Sequence, residues 1–326
     1  METRFSQLWG IHLKPKIAIK RPMSFTPAAI LALARRHGLV LNSDTLKLNE
    51  SGLDFQVAIA HTHANAPWLL RIPRRPDVLA SAHREQTVLA LVRPHLPVQV
   101  PDWQIHTPEL IAYPLLRGKP AATIDLEQQA YRWAIDAQNL PDAYLLSLGQ
   151  ALAALHTIEP QTLAEAGLDN PSIATIRTTW ADRIARVKAD YPVNPQLWHR
   201  WQRWLDNDAL WPECTVLIHG DLHPGHTLVN DQAQVTGLID WTEARVDDPA
   251  PDFAAHYRVF GRDSLEVLLD YYGQNGGTVW PTMADQVVEY ESAFGVEIAE
   301  FAERSGLEDY REMARPALSS EPKVPS

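Results

Sequence analysis

Apolar residues recur along this chain with two periods, and the order of those periods divides it in two. Thr26 is placed to cap a helix, Pro27 to begin it and Gly38 to stop it, with Ile30, Leu31, Leu33 and Ala34 as its buried face. Short apolar runs then replace the helical period. Residues 55–60, after the polar turn 49–54, and residues 68–72 predict a pair of strands. Asp77 can cap a helix carrying Glu85 with Val88, Leu89 and Val92 on its apolar face. Residues 103–106 and 110–113 predict a second strand pair. Helix, strand pair, helix, strand pair describes a lobe built around an antiparallel sheet.

The pattern changes after Pro114. Leu145, Leu148, Leu152 and Leu155 give residues 142–156 a helical stripe, and Ile173, Ile176, Trp180, Ile184 and Val187 do the same for 172–188. Trp198, Trp201 and Trp204 repeat at three-residue spacing over 197–205, a stripe read as core packing. Residues 216–218 form a short apolar run bounded by Gly220 and predict a buried strand. Segments 226–230 and 235–239 flank the polar turn 231–234 and predict a hairpin. Helices resume at 263–272, 282–305 and 307–317. The fold class is therefore α+β: an N-terminal antiparallel-sheet lobe with helices, residues 23–114, and a larger, mainly helical C-terminal lobe, residues 115–318.

Composition narrows the function. The 326 residues are enough for two lobes with cores of their own. A net charge of −11 argues against non-specific nucleic-acid binding, and beyond simple solubility it suits a cationic small substrate. Cys214 is the only cysteine, so no internal disulfide is expected, which fits a reducing, cytoplasmic setting. No apolar run approaches a membrane span, so no membrane partner is expected. Residues 1–22 carry Lys14, Lys16, Lys20 and Arg21 without an apolar signal core, and are read as a disordered N-terminal extension. Residues 319–326, with Pro322 and Pro325, are read as a disordered tail.

The chemistry concentrates in His219-Gly220-Asp221-Leu222-His223-Pro224-Gly225-His226 and in Asp240, fourteen positions further on. Asp221 is a loop carboxylate, and His226 and Asp240 fall at the two ends of the predicted hairpin. Antiparallel pairing sets His226 opposite Ile239 or Asp240, with Cβ atoms roughly 5 Å apart, close enough to share a metal ion. A carboxylate beside two metal ligands is what phosphoryl transfer requires. Two other readings stand beside it: a structural loop of hydrogen-bonded imidazoles, and a zinc site made by His219, His223 and His226. Pro224 and Gly225 favour a loop, and the helical His-Glu-x-x-His pattern of zinc proteases is absent.

Other positions carry weaker signals. Ser51 and Gly52 form a short turn whose amides can meet phosphates, although an ordinary hairpin turn fits them nearly as well. Arg71, on a strand, can pair with Glu85 on the next helix as a phosphate-binding device, or the two can form a surface salt bridge of little consequence. Arg74 and Arg75 are a solvated cluster or auxiliary phosphate contacts. Asp247 is a candidate for attracting a cationic substrate, and Asp252 for accepting backbone hydrogen bonds near a helix start.

These segments resemble the aminoglycoside phosphotransferase superfamily, whose fold is that of protein kinases. The usual superfamily loop carries Asn five positions after the Asp, where this chain has His226, and a Lys where it has Arg71. Both departures are similar to the macrolide 2′-phosphotransferase branch, with its His-Gly-Asp-x-x-x-Gly-His loop and Leu-Arg-Ile/Leu-Pro-Arg-Arg strand. Residues 50–55, 198–205 and 240–246 match as well, and the resemblance runs from about Pro27 to Leu318.

The resemblance implies a protein-kinase-like bilobal fold. It implies transfer of the γ-phosphate of GTP, with ATP as the other candidate donor, to the 2′-hydroxyl of a macrolide's amino sugar, and hence macrolide resistance. By position, Asp221 is the catalytic carboxylate, and His226 and Asp240 are the Mg2+ ligands. Arg71, held by Glu85, and the turn at Ser51 and Gly52 meet the phosphates, and a hinge at Tyr113 and Leu115 meets the base. His219 braces the loop. Tyr257, Phe260, Phe294 and Phe301 are candidates for an apolar macrolide groove. A histidine ligand is softer than asparagine, so Mn2+ is expected to replace Mg2+ well. The expected partner is a macrolide, with no nucleic acid, and the chain is read as a monomer. The competing readings are a kinase for another hydroxylated amine such as an aminoglycoside, a zinc hydrolase, and an inactive nucleotide-binding module.

Overall fold

The computed structural model describes residues 24–49, 54–75, 78–125 and 130–320. The expectations for residues 1–22, for Ser51 and Gly52, for Asp77 as a cap and for residues 321–326 lie outside them.

The N-terminal lobe grows from local signals. Helix α1 (Pro27–Arg36) starts where Thr26 Oγ1 accepts the Ala29 N–H, and it stops before Gly38, whose φ of 81° favours glycine. Then come β1 (Lys47–Asn49), β2 (Phe55–His61), β3 (Pro67–Pro73), α2 (Val78–Val92), β4 (Ile105–His106) and β5 (Ile111–Pro114). The five strands form one antiparallel sheet in the order β1-β2-β3-β5-β4. Strand alternation gives the sheet two covered faces. Leu70 and Ile72 of β3 join Ile30 and Leu33 of α1, whereas Leu69 packs on the other side with Phe55, Tyr113 and Val78 and Ala82 of α2.

The second lobe begins with short strands, β6 (Lys119–Pro120), β7 (Ala122–Asp125) and β8 (Ala130–Trp133), followed by α3 (Asp142–His156), α4 (Pro160–Glu165), α5 (Ile173–Asp190) and α6 (Pro195–Asp206). Strands β9 (Val216–Ile218), β10 (Thr227–Val229), β11 (Val235–Leu238) and β12 (Arg245–Asp247) carry the candidate chemistry, and α7 (Pro251–Gln274), α8 (Met283–Ser292), α9 (Phe294–Ser305) and α10 (Glu308–Ser319) complete the chain. β10 and β11 form the predicted hairpin, with β6 as its third strand, and β9 pairs with β12. Val88, Leu89 and Val92 of α2 belong to the large core of this lobe, so one helix is packed into both. Among the described residues no helix is long and apolar enough to cross a membrane.

Several expectations change in detail. The helix over 282–305 is two helices, divided at Ala293. The helix over 263–272 is the second half of α7, which begins at Pro251 and kinks at Gly261, φ 80°. β1, β6, β7, β8 and β12 have no counterpart in the sequence reading. Two tryptophans of the stripe are core, but Trp198 is half-buried with the Lys188 ammonium 3.5 Å over its ring. Ser319, expected to lie in a disordered tail, instead closes α10, and Asn194 donates from its backbone to the Leu318 carbonyl.

Candidate active site

The loop after β9 is held from beneath by a buried carboxylate. Asp252, in the first turn of α7, accepts the N–H groups of His219 and Gly220, each at 2.8 Å, and His156 Nε2 lies 3.1 Å from it. Burial alone would raise the Asp252 pKa, but these partners outweigh it and hold the group below the usual carboxylate range. Gly220 has φ 81°, and a Cβ there would overlap the Glu243 carbonyl. Only glycine allows the loop to pass the turn before β12 at this distance.

His219 is buried and tied at both ring nitrogens. Nε2–H donates to the Ile239 carbonyl at 3.0 Å, and Nδ1 accepts the Asp221 N–H at 3.4 Å. Burial pushes its pKa down to about 4, so it stays neutral. With His219 occupied inside the protein, the three-histidine zinc site does not form. Among the described residues, the three donor residues that do converge are Asp221, His223 and His226, with ligand atoms within 4.8 Å of one another.

The hairpin sets the metal-type donors. Thr227 lies opposite Leu238, and the Ile239 N–H donates to the His226 carbonyl at 3.0 Å, so His226 faces Ile239 and adjoins Asp240. Asp240 has φ 65°, which turns its side chain back toward the loop. His226 Nδ1–H donates to the Asp221 carbonyl at 2.9 Å, which leaves Nε2 to face Asp240 Oδ2 at 3.6 Å. Two donors of one octahedral cation stand about 3 Å apart, so this pair fits a hard divalent ion with little adjustment. The second-sphere hydrogen bond on Nδ1 fixes the tautomer that such a ligand needs.

Asp221 itself stands in the cleft with half of its side chain accessible. Enclosure by the cleft walls, joined by Asp240, Glu243 and Glu297, pushes its pKa up to about 6 against the pull of His226. Burial pushes the same way on Asp240, but His226 and Arg71 hold it down at about 2. Burial opposes protonation of His226, and the two aspartates outweigh it. An imidazole poised between two carboxylates is a place where a cation can replace a proton.

Arg71 projects from β3 onto the α2 side of the sheet. Its Nη1 lies 2.6 Å from Glu85 Oε1, and both side chains are buried, at 9% and 0% exposure. The surface-bridge reading is thereby excluded. The guanidinium also lies 4.2 Å over the Phe55 ring. One residue that sequence reasoning did not single out connects this pair to the loop. Thr242 Oγ1 lies 2.9 Å from Asp240 Oδ1 and 3.2 Å from Glu85 Oε2. A hydroxyl two residues beyond an aspartate carries no signal of its own in the sequence.

The remaining site expectations fare differently. The Tyr113 ring is buried among Phe55, Val78 and Ile111, so only its backbone can meet a base. The Leu115 N–H donates to the Pro67 carbonyl at 3.0 Å, so the amide donor of that expected hinge position is already engaged within the protein. Asp247 is buried against Arg245, with Nε to Oδ2 at 2.7 Å, and does not face a substrate. A cavity of about 220 Å³ opens beside Asp221 and His223, with Phe294 in its wall. Tyr257, Phe260 and Phe301 are not among its lining residues; Phe260 packs on Trp133 and Phe301 on Tyr310, at 5.5 and 4.4 Å between centroids. Tyr131, Arg258, Tyr290 and Glu297 line it instead and went unremarked, because four separate elements contribute them.

Comparison with known proteins bears on this geometry. Residues 45–285 match the family model described as the phosphotransferase enzyme family. A Bacillus subtilis (strain 168) protein described as uncharacterized, YcbJ, is 45% identical over 289 residues, 89% of this chain and 94% of that one. The apoenzyme of macrolide 2′-phosphotransferase MphH from Brachybacterium faecium superposes with a TM-score of 0.83 at 42% identity, over 91% of this chain and 99% of that one. A macrolide 2′-phosphotransferase type I gives 0.84 at 40% identity, over 92% and 100%.

Proposed function

This chain belongs to the phosphotransferase enzyme family, and on that premise we propose that it is a macrolide 2′-phosphotransferase, moving the γ-phosphate of a nucleotide to the 2′-hydroxyl of a macrolide's amino sugar. GTP is the preferred donor in this reading, Mg2+ the metal, and macrolide resistance in a cytoplasmic, monomeric enzyme the outcome. The observation that carries it is the convergence of Asp221 with the His226–Asp240 donor pair, where Nε2 and Oδ2 stand 3.6 Å apart. Near full-length identity of 40–42% to two macrolide 2′-phosphotransferases supports the choice of acceptor.

Each residue then has a defined task. Asp221 receives the acceptor hydroxyl, aligns its oxygen and takes its proton. Arg71 holds phosphate oxygens, and Glu85 fixes its guanidinium so that no rotamer search is needed. Thr242 joins that clamp to Asp240. A divalent cation between His226 and Asp240 would neutralise charge on the transferring phosphates. Asp252 and His219 keep the loop in register. Phosphoryl transfer is mostly positioning and charge neutralisation, and asks for no activated nucleophile on the protein.

Mass spectrometry of erythromycin incubated with the protein, Mg2+ and either GTP or ATP tests this directly. The expected result is a gain of one phosphoryl group, faster with GTP and lost in Asp221→Asn. No gain with either nucleotide from folded protein would remove erythromycin as an acceptor. Replacing Mg2+ by Mn2+ should raise the rate, and an unchanged or lower rate would refute the role of a softer histidine ligand.

A further inference from the structure

One ring of the loop after β9 takes no part in the tasks of Asp221, His226 and Asp240. A ring nitrogen of His223 lies within 4.8 Å of an Asp221 carboxylate oxygen and of a His226 ring nitrogen. Its ring centroid is 3.9 Å from that of His226, and it borders the cleft beside Asp221. His223 therefore stands where the base and the cation donors meet.

The backbone fixes both the place and the tautomer of this ring. The His223 carbonyl accepts the His226 N–H at 2.8 Å and the Thr227 hydroxyl at 3.2 Å. The Gly225 N–H donates to Nδ1 at 3.0 Å, so the lone pair is there and the proton of the neutral ring is on Nε2. The Nδ1–Cε1 edge packs so closely on Gly225 that a Cβ there would stand 2.6 Å from Cε1. Nε2 has no hydrogen-bond partner among the described residues, and the half-buried ring leaves it open to the cleft. A nitrogen that carries its proton offers no lone pair to a cation. His223 is thus a hydrogen-bond donor beside the cation site and not a third ligand of it.

Resting on the phosphotransferase reading, we propose that His223 is a catalytic residue whose Nε2–H donates to a non-bridging oxygen of the transferring γ-phosphoryl group. Asp221 holds the acceptor oxygen, and His226 and Asp240 mark the phosphate side of the site. A phosphoryl oxygen between those two sides lies within hydrogen-bond reach of a donor that is less than 5 Å from both. In the step, the bond from phosphorus to the β–γ bridging oxygen breaks and the bond to the acceptor oxygen forms. The acceptor proton goes to Asp221, and His223 keeps its own proton throughout. Charge on the group in transit spreads over its three equatorial oxygens, and a donor already fixed in place stabilises it without reorganisation. Being neutral, this donor adds no repulsion against a cation on His226.

Two substitutions separate the donor from the turn that holds it. In His223→Asn the amide oxygen can still accept the Gly225 N–H, but nothing occupies the Nε2 position. In His223→Gln an amide N–H can reach that position. With erythromycin as acceptor, kcat should fall about a hundredfold in the Asn variant and recover about tenfold in the Gln variant, with both KM values unchanged. A second readout needs no acceptor. GDP or ADP, whichever the protein binds, is titrated calorimetrically with Mg2+, with and without aluminium fluoride as a mimic of the phosphoryl group in transit. Fluoride should tighten the diphosphate about tenfold or more in the wild type, by much less in the Asn variant, and again in the Gln variant, while the diphosphate alone binds all three equally. Tightening that is equal in the wild type and the Asn variant, or absent from the wild type, overturns the proposal. So does weaker binding of the diphosphate alone or a raised Mg2+ requirement in the Asn variant, which would make His223 a structural residue or a cation ligand. Erythromycin left unmodified by the wild type would sink the macrolide assignment, and the fluoride titration would still decide the role of His223.

Discussion

Thr242 is a single hydroxyl that joins two halves of the site. It contacts Asp240 at 2.9 Å and Glu85 at 3.2 Å, so the strand clamp and the loop donor are positioned together. Thr242→Val keeps the shape and removes both contacts. We expect a fall in kcat/KM for nucleotide of about tenfold, the loss of one hydrogen bond to a charged group, with the acceptor KM unchanged in steady-state kinetics. An unaltered nucleotide kcat/KM would show that Glu85 and Asp240 hold their places without it. Asp252 is the other residue on which the loop depends. Asp252→Asn replaces an acceptor with a donor facing the amides of His219 and Gly220, each at 2.8 Å. Removing a buried, multiply bonded charge costs about 3–5 kcal/mol, so the midpoint of denaturant unfolding should fall steeply along with activity. A variant with wild-type stability would remove Asp252 from this role.

At the scale of elements, legibility followed locality. The β10–β11 hairpin was readable because its turn and both flanks lie within fifteen residues, and α1 because its cap, Thr26, and its stop, Gly38, flank it closely on either side. Strands β6 and β12 were not readable, since such short strands acquire meaning only from partners elsewhere in the fold: β6 lies against β10, and β12 against β9; β7 and β8 pair with each other but are too short to show a period. The first half of α7 was missed for a different reason. Pro249, Pro251 and Gly261 punctuate it, and each reads locally as a breaker. In the structure Pro251 occupies the first turn, where proline is tolerated, and Gly261 adopts φ 80° without ending the helix pair. Nothing stands within 4 Å of a Cβ at 261, so only the backbone conformation demands glycine there. Gly261→Ala should cost about 1–3 kcal/mol, because φ 80° with ψ −178° is a backbone region essentially reserved for glycine. Because Ala254, Arg258 and Val259 precede the kink and line the cavity, the acceptor KM should shift more than the nucleotide KM. Equal stability by chemical denaturation would mean that the helix re-forms through position 261.

For the molecule as a whole, the cluster of Asp221, His226, Asp240, Arg71 and Glu85 was legible and the cavity beside it was not. Asp221, His226 and Asp240 lie within twenty residues, and Arg71 and Glu85 within fifteen, so strand and helix periods alone bring them near one another. The cavity is assembled from β8, the loop after β9, α7, α8 and α9, and no local period relates those segments. The same global packing buries charges-in-waiting whose cost depends on pH. Burial pushes His219 and His256 each down to about 4, whereas it pushes Asp248 up to about 7. A histidine with a depressed folded pKa leaves the unfolded chain holding more protons between pH 6.5 and 4, so its contribution is lost as pH falls through that window. Asp248 acts in the opposite sense: its raised pKa makes the folded state hold more protons, and stability declines as pH rises from about 4 to 7. The two trends partly cancel in the wild type, so a difference measurement is needed to expose either. His256→Gln can keep a hydrogen bond to Ser264, 2.9 Å from Nε2, and cannot be protonated. Unfolding free energy should therefore fall less steeply for the variant than for the wild type between pH 6.5 and 4, by up to about 3 kcal/mol for a shift of this size. Parallel slopes across that interval would place the acid sensitivity elsewhere, and His219, in the loop after β9, would be the next residue to replace.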